Sequence, residues 1–178
     1  MDNRENVVFI AVGTDQVGLV EQISDFIQQY ECNIEDSKMA VLAGEFAFMI
    51  LISGEPGKIQ SLLENRGKLA SETGLDISMR KPAGRKAAQP SLPYHFSASC
   101  MDHPGVVHRL TTVLSDLGIN IESMETETYA APDSGTPIFR MDAELAIPAA
   151  VNINRLRQQL DEMERQENID IDLRRANR

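Results

Sequence analysis

Two short segments carry residue types that could bind a small polar ligand. The first is Thr14-Asp15-Gln16-Val17-Gly18-Leu19-Val20, and the second is Met101-Asp102-His103-Pro104-Gly105-Val106-Val107. In each, an aspartate is followed three residues later by a glycine, and an amphipathic stretch comes next. A glycine lets a ligand approach the backbone closely. The free N–H groups at the start of a helix suit a carboxylate.

A second matched element follows each aspartate after 18 residues. It is Asn33-Ile34-Glu35 in the first copy and Asn120-Ile121-Glu122 in the second. Both elements of the second copy lie 87 positions after their counterparts. This shared spacing predicts a duplicated domain, with the turn before each helix as its functional centre.

Length and composition fit two small globular domains. The chain has 178 residues, of which 42% are hydrophobic and 25% charged. Its net charge of −10 argues against direct binding to DNA or RNA, which usually needs a basic surface. No apolar run approaches the ~20 residues of a membrane helix, and the charged start lacks the apolar core of a signal peptide. We therefore expect a cytoplasmic protein without membrane contact. Cys32 and Cys100 are expected to be reduced thiols.

The apolar patterns of the first copy predict the order βαββαβ. Strands are expected at 7–12, 34–42 and 75–79, with a return strand after a hairpin at 43–45. A helix is predicted over 17–30, capped by Thr14 or Asp15, and a second helix is closed by Gly74. The predicted buried positions of the first helix and the return strand are Val20, Ile23, Ile27, Tyr30, Phe46, Phe48, Ile50 and Ile52.

The second copy repeats this order after a linker rich in proline and basic residues. The predicted domains are 1–81 and 94–178, with the linker at 82–93, where Pro90 and Pro93 prevent regular structure. Helices are predicted over 106–117, ended by Gly118, and over 151–167. Strands are predicted at 94–99, 121–129 and 169–173, and a return strand follows a longer hairpin at 130–137. The predicted class is α+β, with antiparallel sheets and helices on one face.

These residues resemble the pattern of the ACT-domain family, twice and over nearly the whole chain. The family pattern is a strand, an Asp/Asn-x-x-Gly-hydrophobe turn into a helix, and Asn-Ile at the start of the second strand. It is matched by Asp15, Gly18, Asn33 and Ile34, and by Asp102, Pro104, Gly105, Asn120 and Ile121. Tandem ACT units with nothing else resemble the glycine cleavage system transcriptional repressor group. The first segment also resembles the N-terminal segment of formyltetrahydrofolate deformylase.

The resemblance implies two ferredoxin-like βαββαβ units that bind an amino acid, glycine or a similar one, at interfaces between ACT units. The carboxylate is expected at Gly18 or Gly105, and the ammonium group at Asn33 or Asn120, or at the neighbouring acids. The implied ligand-binding residues are Asp15, Gln16, Val17, Gly18, Leu19, Asn33, Ile34, Asp102, His103, Pro104, Gly105, Val106, Asn120 and Ile121.

Simpler roles for these residues stay open. Asp15 and Asp102 could cap their helices and have no part in ligand binding. Each glycine could be required only for the conformation of its turn. The two turns also differ, because Pro104 fixes φ and removes a donor. The copies could therefore differ in affinity, or only one could bind.

The leading functional hypothesis is a non-enzymatic, amino-acid-sensing regulator without a cofactor. It would form a homo-oligomer and control a transcription activator through protein contact. The alternative is an allosteric accessory subunit of an amino-acid or folate metabolic enzyme. A metal- or thiol-dependent catalyst built on Cys100, Asp102, His103 and His108 ranks lower. The first copy lacks this set, and the two histidines lie five residues apart rather than the four that align ligands on a helix.

Overall fold

The computed structural model describes residues 4–82 and 90–176. Residues 83–89 of the predicted linker lie outside the described residues. The chain divides into two compact units, Met1–Gly84 and Arg85–Arg178, which are described separately below. No helix in the described ranges is long and apolar enough to cross a membrane.

The first unit has the predicted order βαββαβ. Its four strands form one antiparallel sheet in the order β2-β3-β1-β4, so β2 and β4 are the edge strands. Its elements are β1 Glu5–Thr14, α1 Leu19–Gln29, β2 Asn33–Leu42, β3 Glu45–Gly54, α2 Pro56–Thr73 and β4 Asp76–Arg80. A two-residue turn at Ala43 and Gly44, both with positive φ, joins β2 to β3, as expected for a tight hairpin.

The core of the first unit lies between the sheet and its two helices. Alternate residues of β3 point into it, as predicted, because side chains alternate between the two faces of a strand. The β3 residues in this core are Phe46, Phe48, Ile50 and Ile52. The prediction for α1 was partly wrong, because Val20 is exposed and Tyr30 only half-buried. The helix begins at Leu19, two residues later than predicted, and Leu19 and Phe26 complete the buried stripe with Ile23 and Ile27.

The second unit repeats this architecture, with the sheet order β6-β7-β5-β8. Its elements are β5 Ser91–Met101, α3 Val106–Asp116, β6 Asn120–Ala130, β7 Pro137–Pro148, α4 Ile153–Glu167 and β8 Asp170–Arg175. The inward residues of β7 match those of β3 in pattern. They are Phe139, Met141, Ala143, Leu145 and Ile147. The predicted pair of βαββαβ units is therefore confirmed.

One prediction about the linker was wrong, because Pro93 lies inside β5. A proline normally disrupts a central strand by removing a ladder donor. Here the Pro93 carbonyl accepts from the Ala176 N–H at 3.0 Å, one residue beyond the end of β8. The N–H group that proline lacks would point to the end of β8, where the ladder between the two strands stops. β5 therefore tolerates the proline.

Candidate functional site

Each predicted turn ends in a glycine with a left-handed backbone. Gly18 has φ +96° and Gly105 has φ +91°, and each is the residue that precedes the first helical turn. Neither α1 nor α3 has a side-chain cap. The prediction that Thr14 or Asp15 caps α1 was wrong, and so was the capping role considered for Asp102.

The backbones of the two aspartates hold the turns in place. The Asp15 N–H donates to the Gly44 carbonyl, and the Asp102 N–H donates to the Pro137 carbonyl, both at 2.9 Å. Each bond ties the turn to the hairpin that follows the second strand of the unit. Both aspartate side chains are exposed, so their carboxylates face solvent beside the turn.

The first helical turn leaves backbone donors available. The carbonyls of Gly18 and Gly105 accept the first helical bonds, from the N–H groups of Gln22 and Arg109 at 3.0 Å. The N–H groups before them have no partner within the helix, and no side chain caps them. Together with the positive end of the helix dipole, they can bind an anion such as a carboxylate.

Two predicted ligand residues are part of the hydrophobic cores instead. Leu19 is 2% exposed and Val106 is 3% exposed, so only their backbone N–H groups face the turn. Gln16 is exposed, and Val17 projects fully into solvent.

The two asparagines form the same local pair in both units. Asn33 Nδ2 donates to Glu35 Oε1 at 3.0 Å, and Asn120 Nδ2 donates to Glu122 Oε1 at 2.9 Å. Residues two apart point to the same face of a strand, which brings each asparagine and glutamate together. Each glutamate also lies at a β-bulge, between Ile34 and Asp36 in the first unit and between Ile121 and Ser123 in the second. The two glutamates were not named among the predicted site residues, although acids next to the asparagines were one expected place for the ammonium group.

The first unit surrounds its glutamate with further donors. The Ser53 hydroxyl donates to Glu35 Oε1, and the Arg4 guanidinium lies 3.8 Å from the same oxygen. The hydrogen bonds from Ser53 and then Asn33 lower the pKa of Glu35, with a smaller contribution from the charge of Arg4. Because Asn33 pairs with Ser53 in the sheet, and Asn120 pairs with Ala146, the second unit lacks this hydroxyl.

Within one unit, the turn and the asparagine lie at opposite ends of the sheet. Thr14 is opposite Glu45 on β3, whereas Asn33 is opposite Ser53 on the same strand. Eight residues of strand correspond to about 26 Å. The second unit repeats this separation. One unit therefore does not bring together the two groups that were predicted to hold the ends of an amino acid.

In the second unit, the start of β6 borders an open cavity of about 620 Å³. Asn120 and Ile121 line it on the strand side. The lining residues from α3 include His108, Thr111, Thr112 and Ser115. In the sequence, the polar side chains of this helix surface look like those of an ordinary exposed face, so no pattern singled them out.

The turn of the second unit carries a charged contact that the first unit lacks. Arg109 Nη2 lies 2.9 Å from His103 Nδ1, and Arg109 Nε lies 3.4 Å from Glu167 Oε2 at the end of α4. A guanidinium can only donate, so His103 Nδ1 is the acceptor in this contact. The same nitrogen lies 3.3 Å from the Pro104 carbonyl oxygen. Gln16 and Gln22 occupy the corresponding positions of the first unit. Within the described ranges, no three His, Cys, Asp or Glu side chains are grouped closely enough to hold a metal ion.

Comparisons with known proteins agree with this architecture. Family profiles described as the ACT domain match residues 5–80 and residues 94–146. The glycine cleavage system transcriptional repressor of Escherichia coli (strain K12) is 24% identical over 158 residues. The match covers 89% of this chain and 83% of that protein.

Two solved structures match nearly the whole chain. The crystal structure of an unknown protein from Galdieria sulphuraria is 31% identical, with a TM-score of 0.82, and the match covers 98% of this chain and 99% of that one. A crystal structure described as a candidate glycine cleavage system transcriptional repressor has a TM-score of 0.72 and 20% identity. It also covers 98% of this chain and 99% of its own. At that identity, the likeness shows the fold alone.

Proposed function

The chain belongs to the ACT-domain family, with two ACT domains in tandem, and from this premise we propose that it is a non-enzymatic regulator that senses an amino acid. Glycine or a similarly small amino acid is the proposed ligand. The observation that carries the proposal is the uncapped helix start behind a left-handed glycine, which occurs in both units.

The carboxylate of the ligand is proposed to bind at this helix start. A side-chain cap would compete for the first N–H groups of the helix, and neither α1 nor α3 has one. The glycine lets the ligand approach the backbone, since it has no Cβ. At Gly105 an added Cβ would have no atom within 4 Å, so this side of the turn is open.

The ammonium group is proposed to bind at an asparagine–glutamate pair. Asn33 uses its amide nitrogen to donate to Glu35, so its amide oxygen points away as an acceptor. Hydrogen bonds from Ser53 and Asn33 lower the pKa of Glu35 and keep the carboxylate ionised near neutral pH. Such a pair favours a cationic group over an anionic one.

A ligand that contacts both groups must be held by two ACT units. The turn and the asparagine of one unit lie about 26 Å apart along the strands, far more than the length of a free amino acid. We therefore propose that the turn of one unit and the asparagine of another share the ligand. Binding would then favour the assembly that brings them together, because a ligand shifts an equilibrium by its differential affinity for two states.

The proposed target of this regulator is a transcription activator protein, contacted directly. The name of the Escherichia coli relative supports a role in transcription. The net charge of −10 favours protein contact over DNA binding. We expect no gel shift of duplex DNA by the purified protein at about 150 mM salt, where only a basic surface would sustain binding. Capture of a metabolic enzyme instead of a transcription factor would count against this target.

Calorimetry against the amino acids tests the sensing proposal. Glycine is titrated first into the full-length chain, and then into N33A and N120A. Loss of a charge-assisted hydrogen bond costs about 1.5–3 kcal/mol, so we expect roughly ten- to a hundredfold weaker binding in one or both variants. N65A is the control, because Asn65 is exposed on α2 and bonds only within its helix. If no amino acid binds the parent protein, the sensing role is wrong. If both variants bind as tightly as N65A, the site is elsewhere.

A further inference from the structure

The sheet of the first unit has a second face, which its helices do not cover. We call it the open face of the first sheet. At its centre lie the outward-pointing residues of β1 and β3, all of them apolar. They are Val8, Ile10, Val12, Ala47, Met49 and Leu51. Val12 remains 43% exposed and Met49 remains 47% exposed. A shallow apolar cavity of about 230 Å³ lies among Val8, Met49 and Leu51.

The same face of the second unit is polar at every corresponding position. The strand pairs Val8–Leu51, Ile10–Met49 and Val12–Ala47 correspond to pairs of the β5–β7 ladder. Those pairs are His95–Glu144, Ser97–Asp142 and Ser99–Arg140. The fold therefore does not require apolar residues at these positions. A contiguous apolar patch rimmed by polar residues marks a surface that another molecule covers.

We propose that a second copy of this chain covers the open face of the first sheet, so that two chains form a symmetric dimer with these faces packed together. This inference is independent of the proposed ligand. It commits to a second copy because the charges along the two edges of the face are self-complementary.

The edge charges lie in matching rows. Asp36 on β2 and Arg80 on β4 are both level with Val8, at opposite edges of the sheet. Neither side chain has an ion-pair partner among the residues that the structure describes. A two-fold axis parallel to the strands places the β2 edge of one copy over the β4 edge of the other. Each Asp36 then faces an Arg80, twice per dimer.

The other aligned arrangement is less favourable. A two-fold axis perpendicular to the strands would place each β2 over its own copy. Because Lys38 lies in the central row with Met49 and Ile10, its ammonium group would then face a second Lys38. Like charges directly opposite each other destabilise a contact, so the charges select the axis parallel to the strands. Both arrangements keep the strands aligned, as packed sheets do.

The size of the face fits a reversible dimer. Three strands of ten residues and one of five, spaced by about 4.8 Å, give a face of about 550 Å². Two such faces would bury about 1,100 Å² in total, close to the lower limit of specific protein interfaces, where transient contacts lie. We therefore expect a dimer that dissociates on dilution rather than an obligate one.

Exchange of the edge charges tests the dimer and its axis. Sedimentation velocity is run on the full-length chain, on D36R, on R80D and on the double variant D36R/R80D. Each single variant replaces two attractive contacts with two repulsive ones. We therefore expect the dissociation constant of the dimer to rise at least tenfold. The double variant restores opposite charges and should return the dissociation constant to within about threefold of the parent, since the exchange conserves the pairs.

Substitution at the centre of the face gives a second, independent test. M49D places a charge in the buried contact and should leave the chain monomeric. The fold should tolerate it, because Asp142 occupies the corresponding position of the second unit. M124D is the control, because Met124 is a similarly exposed methionine, at 43%, on the edge strand of the second unit. Circular dichroism confirms that each variant is folded.

The sedimentation results either support the dimer or overturn it. Dissociation by M49D but not M124D, with rescue of the single charge variants in D36R/R80D, supports the dimer. A parent chain that is monomeric at every concentration would overturn the proposal, and so would a dimer that none of the substitutions weakens. If M49D fails to fold, the charge exchange still decides the question, because Asp36 and Arg80 are exposed at the edges.

Discussion

Replacement of Gly105 with alanine isolates the backbone requirement of the functional turn. Gly105 has φ +91°, a conformation that an L side chain rarely adopts, and an added Cβ would have no atom within 4 Å. G105A therefore creates no clash. Its cost is conformational and should be about 1–2 kcal/mol. For a unit of this size, each 1 kcal/mol corresponds to roughly 4–8 °C in melting temperature.

Three matched substitutions extend the prediction from one change in stability to the relative stabilities of four variants. G18A should cost the same, because its φ is +96° and its nearest new contact, Gln22 at 3.6 Å, is an ordinary one. G105N should recover part of the loss, since asparagine tolerates left-handed φ better than alanine. G67A should have the opposite sign and stabilise by about 0.5–1 kcal/mol, because Gly67 lies in the interior of α2 with open space around it.

Thermal and urea unfolding of the full-length chain, followed by circular dichroism, measure all four variants. The predicted cost of G105A is refuted if this variant matches the parent in stability, or if it stabilises the chain as G67A is expected to do. Either result would mean that the turn is not held at positive φ in solution. The same geometry makes valine at Gly18 or Gly105 a poor test of ligand binding, because folding and binding would be lost together.

Three further substitutions or measurements follow from single contacts. N152A should destabilise the chain by about 1 kcal/mol in denaturant titrations, because the Asn152 side chain accepts from two N–H groups at the start of α4. S53A should raise the pKa of Glu35 in an NMR titration. Ionised Glu35 stabilises the fold above its unfolded-state pKa, and this contribution is lost as pH falls through its lowered folded pKa, so S53A should move the loss to higher pH. Burial raises the pKa of both Cys32 and Cys100, so both thiols should react slowly with a disulfide reagent near pH 8 until the chain is unfolded.

The elements of both units could be predicted because their patterns are local. Alternation in Phe46, Phe48 and Ile50 identifies a half-buried strand without knowledge of its neighbours. The start of α1 was predicted less well, because the usual signal is a capping side chain and this helix begins after a left-handed glycine instead. The position of Pro93 depended on where β8 ends, which no local pattern shows.

The geometry of the candidate site could not be read from motif spacing. Asp15 and Asn33 are 18 residues apart in sequence, which suggests neighbouring groups. However, α1 runs back along the sheet, and its eleven residues span about 16 Å. The chain therefore reaches Asn33 at the far end of the sheet from the turn. A motif with fixed spacing predicts shared ancestry and element order, but the direction of the intervening helix decides which residues meet.

Comparison of the two units also explains why we expect a partner to cover the open face of the first sheet. Both units close their cores between sheet and helices, so the outward residues are free of the packing constraint that fixes Phe9 or Phe96. In the second unit these positions are polar, as expected for a surface that water covers. In the first unit the run Val7 to Val12 is continuously apolar, typical of a strand buried on both faces. An apolar face left in water favours aggregation. Coverage by a second copy removes this cost, and the charges at Asp36 and Arg80 would then set the register of the contact.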